Sequence, residues 1–377
     1  MTRPTGPLAG IKVLDLSRVM AGPYATMALG ELGAEVLKVE RPGGGDDTRQ
    51  WGPPFVAGES TYFLSANRNK ESIVLDLENP RHQAYVRERA LTWADVVVEN
   101  FRPGTLEKWG IGLDALREAN PRLITASVRG YPPGDDRPGY DFVMQAGSGL
   151  MAITGPVAGE PSKVGVPIVD LVAGLFLLSG IEAALWARSQ TGQGQHVSVS
   201  LWEAALAILS NVAQSALATG RPPARLGNAH PQLAPYQTVR VSDGQIALAV
   251  GNDRQFQALV AAMGHPEWAA DARFQTNPER VRHRRELIDL LESVLLTRSR
   301  ESWLALFEAA GVPAGPVRTV PEALAFDRER GYGSVVSVEH PTVGPLPVIR
   351  LPWHFSRTPS AVHRAPPTYP EQKGDHE

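Results

Sequence analysis

The sequence predicts an α/β protein with a Rossmann-like open parallel sheet in a large domain and a smaller α+β domain after it. In the first half of the chain, short runs rich in Val, Leu and Ile alternate with helical segments, as in parallel strands joined by crossover helices. At 377 residues the chain exceeds one ordinary domain. A Pro-containing linker at 220–225 separates this pattern from a β-hairpin pattern, so two domains are expected.

The first βαβ unit is the clearest part of the large domain. Residues 10–16 are typical of a buried strand, 21–30 of a helix with Pro near its first turn, and 34–40 of a second strand. Such a unit requires parallel strands and a right-handed crossover. Its turn at 17–23 lacks the Gly-x-Gly-x-x-Gly motif, so an NAD-dependent enzyme is not expected.

Further strands extend this sheet. The fourth predicted strand ends at Asn100 and Phe101, on the edge where open α/β sheets bind ligands. The Gly-rich run 145–149 is suited either to donating backbone N–H groups to an oxyanion or to tight helix packing. The fourth strand is 95–99, the other predicted strands are 72–77, 123–128 and 196–200, and the predicted helices are 83–91, 171–188 and 203–219.

The chain after residue 220 predicts the smaller domain. Strands 236–241 and 245–250 flank a Ser-Asp-Gly turn and predict a hairpin. The tail contains many prolines and is expected to cross back over the large domain. The predicted helices are 253–263, 280–296 and 302–310, and the predicted domain boundaries are 1–220, 221–325 and 326–377.

Asp170 stands directly before the predicted helix 171–188, which is apolar nearly all round and is therefore expected to be buried. The free N–H groups and partial positive charge at a helix start should keep this carboxylate ionised at neutral pH. A helix cap without further function is the alternative, because Asp is among the commonest N-cap residues. Glu182, inside the apolar run, argues against a membrane span.

Composition excludes several classes of protein. Lys and Arg number 37 against 40 Asp and Glu, so no basic surface for nucleic acid or membranes is expected and an anionic ligand needs local cations. The chain has no Cys, which excludes disulfides and thiolate chemistry. Its nine His form no metal motif, so no metal is predicted. The first ten residues contain no apolar leader, and a cytoplasmic location is expected.

Several motifs, taken in order, resemble those of the class III CoA-transferase family over nearly the whole chain. Each motif would be weak evidence alone, but their order is specific. They are Leu14-Asp15-Leu16, Ala21-Gly22-Pro23, Gly33-Ala34-Glu35-Val36, Lys38-Val39-Glu40, Asn67-Arg68-Asn69-Lys70, Glu99-Asn100-Phe101-Arg102-Pro103-Gly104, Asn120-Pro121-Arg122-Leu123-Ile124 and Thr191-Gly192-Gln193-Gly194-Gln195.

This resemblance implies that Asp170 is the nucleophile, that CoA is a substrate and that no cofactor is needed. The carboxylate would attack an acyl-CoA thioester to give a mixed anhydride and then an aspartyl-CoA thioester. The resemblance also implies an interlocked homodimer. Met20 and Pro138 depart from formyl-CoA transferases, which have Gln and Lys there. By the same matching, CoA would contact Arg18, Val19, Met20, Ala21, Arg41, Asn100, Phe101, Lys108 and Tyr140.

Two other functions remain open from the sequence. Alpha-methylacyl-CoA racemases resemble the family throughout, but they use a His where Tyr140 stands, and Tyr is a poor base near neutral pH. A non-catalytic CoA-binding subunit would not need Asp170, which is present.

The motifs of the second domain most resemble the branch that uses succinyl-CoA and dicarboxylic acids such as glutarate. Gln237 or His230, with a loop near Asn228, is therefore expected to read the distal carboxylate of the acceptor acid. A lone His before Pro is also typical of a structural residue. The motifs are Gly227-Asn228-Ala229-His230-Pro231, Pro235-Tyr236-Gln237, Val250-Gly251-Asn252-Asp253 and His340-Pro341-Thr342-Val343-Gly344.

Overall fold

The computed structural model describes residues 6–369, which fall into two compact units. The first unit contains the described residues up to Leu150, Val164–Gly220 and those from Arg330 onward. The second contains Met151–Lys163 and Arg221–Glu329. The short stretch 151–163 therefore belongs with the later part of the chain, although it lies within the predicted large domain 1–220.

A six-stranded parallel sheet forms the centre of the first unit, which confirms the predicted α/β class. The strands are β1 (Lys12–Asp15), β2 (Glu35–Glu40), β3 (Phe55–Val56), β4 (Glu59–Ser60), β5 (Lys70–Val74), β6 (Val96–Glu99), β7 (Ile124–Arg129) and β8 (His196–Ser200). The order across the sheet is β5-β2-β1-β6-β7-β8, while β3 and β4 form a separate antiparallel pair. The chain thus reverses its direction of travel between β1 and β6, which makes this the topological switch point.

Helices of the first unit pack on the sheet or on one another. They are α1 (Ala21–Glu31), α2 (Thr61–Ala66), α3 (Pro80–Thr92), α4 (Thr105–Lys108), α5 (Leu113–Ala119), α6 (Asp141–Gly147), α8 (Ile168–Thr191), α9 (Leu201–Ala207) and α10 (Ser210–Thr219). A further short helix, α7 (Leu150–Ile153), begins with the last residue of this stretch of the first unit, and its other residues are assigned to the second. One apolar core packs α1 and α8 against the sheet, with Ala25, Leu29, Leu177 and Ile181 at its centre.

Two predicted elements of the first unit have different bounds in the structure. The third strand covers 70–74 rather than 72–77, because its pairing with β2 begins at Lys70. The predicted helix 203–219 is two helices, α9 and α10, bent by 78°. Ser210 has a φ of 42°, and this left-handed conformation does not fit inside an α-helix.

The second unit has its own antiparallel sheet and its own core. Its elements are β9 (Tyr236–Val241), β10 (Gly244–Ala249), α11 (Asp253–Ala262), α12 (Asn277–Arg282), α13 (Arg284–Leu295), α14 (Arg300–Ala309), β11 (Ala314–Pro316) and α15 (Val320–Arg330). Strands β9 and β10 form the predicted hairpin, and β11 pairs with β10. The predicted helix 280–296 is divided at His283 into α12 and α13. Phe256, Trp303 and Phe307 are buried in the core.

The C-terminal segment packs on the first unit. It begins with an antiparallel hairpin, β12 (Val335–His340) and β13 (Gly344–Ile349). Asn69 then anchors the tail, since its backbone N–H donates to Arg364 O at 2.9 Å and its side chain accepts from the N–H groups of His363 and Arg364. These contacts are consistent with a tail that returns to the large domain.

Candidate active site

A cavity of about 260 Å³ opens at the carboxyl ends of β1, β6 and β7, at the topological switch point of the sheet. Seven of the ten residues predicted for the site line it. These seven are Val19, Met20, Ala21, Asn100, Phe101, Tyr140 and Asp170. The structure thus brings together segments that lie more than a hundred residues apart in the sequence.

Asp170 does not cap α8, so the alternative interpretation of this residue as a plain N-cap is wrong. The helix begins three residues earlier than predicted, with Pro167 at its N-cap and Asp170 in its first turn. The cap comes instead from Asp141, whose Oδ1 accepts from the N–H of Val169 at 2.8 Å and from that of Asp170 at 3.4 Å. A carboxylate from another helix therefore occupies the positive end that was expected to stabilise Asp170.

The electrostatics of Asp170 also differ from the prediction. Burial first, and the nearby charge of Asp141 second, raise the pKa of Asp170 to about 7. Burial, followed by the charges of Asp170, Asp141 and Asp46, likewise raises the pKa of Tyr62 to about 12. Asp170 is therefore a carboxyl group that titrates near neutral pH, whereas the sequence predicted a fully ionised one.

Gln145 holds Asp141 in position. Its Nε2 donates to Asp141 Oδ2 at 2.7 Å, and its Oε1 accepts from the Val164 N–H at 2.8 Å. The predicted use of 145–149 as oxyanion donors finds no support here, because the Ser148 N–H bonds within α6 and no residue of this run lines the cavity. Tight helix packing is not evident either, since a Cβ on Gly147 would meet only Trp202 at 3.4 Å and one on Gly149 would meet no atom within 4 Å.

The turn between β1 and α1 forms one wall of the cavity. The Asn100 side chain hydrogen-bonds both backbone groups of Arg18. Its Oδ1 accepts from the Arg18 N–H at 2.8 Å, and its Nδ2 donates to Arg18 O at 2.7 Å. Val19 has a φ of 72°, a conformation that β-branched residues rarely adopt. Its N–H donates to both carboxylate oxygens of Asp46, at 3.3 Å each.

Three predicted CoA contacts, Arg18, Arg41 and Lys108, do not line the cavity. The Arg18 guanidinium lies over the Phe101 ring, 4.9 Å from its centroid. Burial and then the charge of Arg41 lower the pKa of Arg18, so these two cations lie near each other. Arg41 pairs with Asp47 and also donates to Gly45 O at 3.1 Å. Lys108 is exposed at the end of α4.

Sequence reasoning missed several residues of the cavity. Arg102 and Arg129 line it, and Arg129 also pairs with Glu99 at 2.7 Å. The loop after β7 contributes Asp135, Asp136 and Arg137. This loop closes where Gly130 and Gly139 touch, since a Cβ on Gly130 would lie 2.6 Å from Gly139 N. The two glycines were visible in the sequence, but their contact was not.

The candidate acceptor residues lie in the second unit, near the start of β9. His230 Nδ1 accepts from the Gln232 N–H at 3.0 Å, and its ring packs against Tyr236. Asn228 donates to Thr238 at 3.0 Å. Gln237 Oε1 is buried and has no hydrogen-bond partner among residues 6–369. His230 thus has a local structural role, while Gln237 keeps an unused polar atom.

Helix α8 has the length and hydropathy of a membrane span, and 39% of its apolar window is buried. It packs against α1, β7, β8 and α9, but Phe176 and Trp186 on its other face are 44% and 69% exposed. The prediction of a buried helix is therefore correct for one face only. Within residues 6–369, no group of His, Asp or Glu side chains is arranged to hold a metal ion.

Comparison with known proteins agrees with this architecture. The model of CoA-transferase family III matches residues 8–373. The succinyl-CoA:glutarate CoA-transferase of Mus musculus is 42% identical over 364 residues, which cover 96% of this chain and 83% of that protein. The succinate–glutarate CoA-transferase of Agrobacterium fabrum is 42% identical over 376 residues, 97% of this chain and 94% of the relative.

A solved CAIB/BAIF family protein from Brucella suis has a TM-score of 0.83 at 41% identity, covering 97% of this chain and 96% of its own. The fold and the matches together define an enzyme of the CoA-transferase type. The chain belongs to CoA-transferase family III, as its motifs predicted.

Proposed function

We propose that this enzyme transfers CoA from succinyl-CoA to a dicarboxylic acid, with Asp170 as the covalent nucleophile. The observation that carries the proposal is the position of Asp170, a largely buried carboxyl group in a cavity at the switch point of the sheet. With a pKa of about 7, a substantial fraction of Asp170 is ionised and nucleophilic at neutral pH. The named activities of the two relatives support the choice of substrates.

The reaction would proceed through two acyl intermediates. The Asp170 carboxylate attacks the thioester carbonyl, forming a mixed anhydride and releasing CoA thiolate. The thiolate then attacks the Asp170 carbonyl, which releases the donor acid and leaves an aspartyl-CoA thioester. The acceptor carboxylate repeats these steps in reverse. Burial of Asp170 favours transfer over hydrolysis, because water would otherwise consume each intermediate.

The CoA contacts would come from the turn before α1 and from the ends of β6 and β7. Asn100 and Phe101 line the cavity, and Arg102 adds a cation with no ion-pair partner among residues 6–369. Arg18 and Arg41 are candidates to bind one anionic group of CoA together. The charge of Arg41 lowers the pKa of Arg18, and a phosphate bound by both side chains would relieve this repulsion.

We also propose a homodimer. Apolar side chains remain exposed along α8, α9 and α10 of the first unit, which is unusual for the surface of a monomer. A second copy of the chain would cover them through a symmetric interface. A molar mass near that of one chain in light scattering would contradict this assembly. The exposed residues are Leu175, Phe176, Trp186, Leu206 and Leu217.

Replacement of Asp170 tests the mechanism. Asp170→Ala should reduce transfer from succinyl-CoA to glutarate by at least about a thousandfold, because it removes the nucleophile. Hydroxylamine added with an acyl-CoA should modify Asp170 in the wild type, and mass spectrometry would locate the product. More than a few per cent of residual turnover, or a modified residue elsewhere, would contradict the proposal.

Asp170→Asn tests the raised pKa of Asp170 through its effect on the stability of the fold. Since the folded protein raises the pKa of Asp170 from 3.8 to about 7, ionisation destabilises the fold progressively between about pH 4 and pH 7. The Asn variant carries no such charge. It should therefore be more stable than the wild type at pH 8, by on the order of 2 kcal/mol, and the gain should shrink toward pH 4. Urea unfolding at both pH values measures this difference.

A further inference from the structure

The backbone of Val19 is held in a conformation that its side chain disfavours. A φ of 72° is open to Gly at no steric cost, but the branched Cβ of Val clashes with the backbone there. Such strain persists only where the surroundings impose it. Val19 lines the cavity beside Met20 and Ala21, so the conformation of this one residue fixes the path of the wall next to Asp170.

Asp46 supplies the restraint at Val19 itself. Both of its oxygens accept from the Val19 N–H, at 3.3 Å each. Oδ1 is fixed in turn by the N–H of Thr48 at 3.0 Å and by its hydroxyl at 2.8 Å. The Asp46 side chain is fully buried, so water does not compete for these contacts.

Lys38 orients the other side of the Asp46 carboxylate. Its ammonium lies 2.9 Å from Asp46 Oδ2 and donates to Ser17 O at 2.7 Å, and both side chains are inaccessible to solvent. Asp46 therefore hydrogen-bonds the backbone at Val19, and Lys38 hydrogen-bonds it at Ser17, on the two sides of Arg18. The ion pair makes the network rigid, because moving either group would leave a buried charge unpaired.

We infer that Asp46 is a positioning residue, which holds Val19 in its strained conformation and thereby shapes the wall that receives the acyl-CoA. The inference rests on the proposed function for the identity of the ligand. Asp46 itself does not line the cavity, so it acts through Val19 and not by touching the substrate. Loss of Asp46 would let Val19 relax to a negative φ and displace the cavity wall.

The test compares Asp46→Asn with and without Val19→Gly. Asn keeps one of the two oxygens that accept from the Val19 N–H, but its amide nitrogen would face either Lys38 or the Thr48 N–H. The side chain must then shift away from these groups, and the restraint on Val19 is weakened. KM for succinyl-CoA should rise about tenfold while kcat changes about threefold at most. Adding Val19→Gly should bring KM back to within about threefold of the wild type, because Gly adopts the required φ unaided. Asp46→Ala gives a second version of the comparison without the misplaced amide.

A matched control separates positioning from simple stability. Asp95→Asn removes another ion pair, with Arg188, near the start of β6 at the opposite edge of the sheet. It should lower the unfolding temperature without changing KM for succinyl-CoA. An unchanged KM in both Asp46 variants would overturn the inference. So would a raised KM that Val19→Gly fails to restore, since a general structural role predicts no such rescue.

Calorimetric binding of CoA distinguishes this inference from the proposed function. If the wild type binds CoA but transfers it to no carboxylic acid, the proposed function fails. The wild type, Asp46→Asn and the double variant with Val19→Gly are then compared by their affinity for CoA instead of by KM. A roughly tenfold loss in Asp46→Asn that Val19→Gly restores would still support the role of Asp46. An unchanged affinity would overturn it.

Discussion

Two carboxylates act on the first turn of α8. Asp170 belongs to that turn, and Asp141 reaches it from α6. Asp141 accepts the backbone N–H groups of that turn, and its charge, after burial, raises the pKa of Asp170. The capping group is thus also the group that makes the candidate nucleophile more basic than an exposed Asp. A more basic carboxylate is a better nucleophile once ionised, at the cost of a smaller ionised fraction below neutral pH.

Asp141→Asn should lower the pKa of Asp170, because it removes the neighbouring charge but retains an acceptor oxygen for Val169. The rise of kcat/KM with pH should then occur at lower pH, and the activity at pH 6 relative to pH 8 should increase at least about twofold. Burial remains, so the profile should not reach that of an exposed Asp. The measurement is a pH series of kcat/KM.

The control for this series is Asp114→Asn, which removes a surface charge on α5. Its pH profile should match that of the wild type. If the Asp141 variant also matches the wild type, Asp141 does not tune Asp170, and burial alone sets the pKa.

At the scale of elements, the contact between α1 and α8 sets the distance between the two walls of the site. Gly174 lies one helical turn after Asp170, on the same face, and permits this close approach. A Cβ on Gly174 would lie 2.7 Å from the backbone oxygen of Ala21. Because a backbone atom cannot swing aside, a side chain there must move one helix relative to the other.

Gly174→Ala should therefore reduce kcat/KM about tenfold, through displacement of Asp170 from Ala21 and Met20. Gly180→Ala is the matched control on the same helix, since its Cβ would lie 2.7 Å from a side-chain carbon of Val197. Both variants should lose stability, by about 1–3 kcal/mol. Only the first should lose activity, and equal losses of kcat/KM would show that the effect is not specific to the α1 contact.

The sequence predicted elements better than it predicted contacts between them. Six parallel strands, the hairpin in the second unit and the segments around the cavity follow from hydrophobic periodicity and turn residues. The cap of α8 does not, because Asp141 and Val169 are 28 positions apart and Asp170 itself looked like a local N-cap. Arg129 was missed for the same reason, since only the folded sheet brings it to the cavity, whereas Arg102 directly follows the predicted Asn100 and Phe101 in a turn that favoured a ligand contact.

At the scale of the whole molecule, positive and negative charges nearly balance, so binding of an anionic ligand depends on the cations near its site. The formal charge is −3, yet Arg18, Arg102, Arg129 and Arg137 lie in or beside one cavity. Several of these are already neutralised, because Arg129 pairs with Glu99 and Arg137 with Asp135. Asp135, Asp136 and Asp170 line the same cavity, so its charge is nearly balanced. Under the proposed function, Arg18 and Arg102 are the cations that remain to meet the anionic groups of the substrate.

Under the proposed function, the charge of the acceptor acid also determines which acids the enzyme prefers. A monocarboxylic acid offers only the carboxylate that must react, whereas a dicarboxylic acid offers a second charge that can orient it. A site that reads this charge discriminates strongly against analogues that lack it. With succinyl-CoA as donor, kcat/KM for glutarate should exceed that for butyrate by at least about tenfold, which corresponds to about 1.4 kcal/mol. Steady-state rates with both acids give this ratio.

Gln237→Ala then tests the residue that the sequence assigned to the second carboxylate, and whose buried amide oxygen is unused in the structure. The glutarate to butyrate ratio should fall severalfold, because the lost contact concerns only the diacid. Gln245→Ala, at an exposed position of β10, is the matched control and should leave the ratio unchanged. A wild-type ratio near one would mean that the enzyme selects chain length and not a distal charge. If the ratio survives in Gln237→Ala, dicarboxylate selectivity remains but arises at a different residue. Arg102, which has no ion-pair partner within residues 6–369, is then the next candidate.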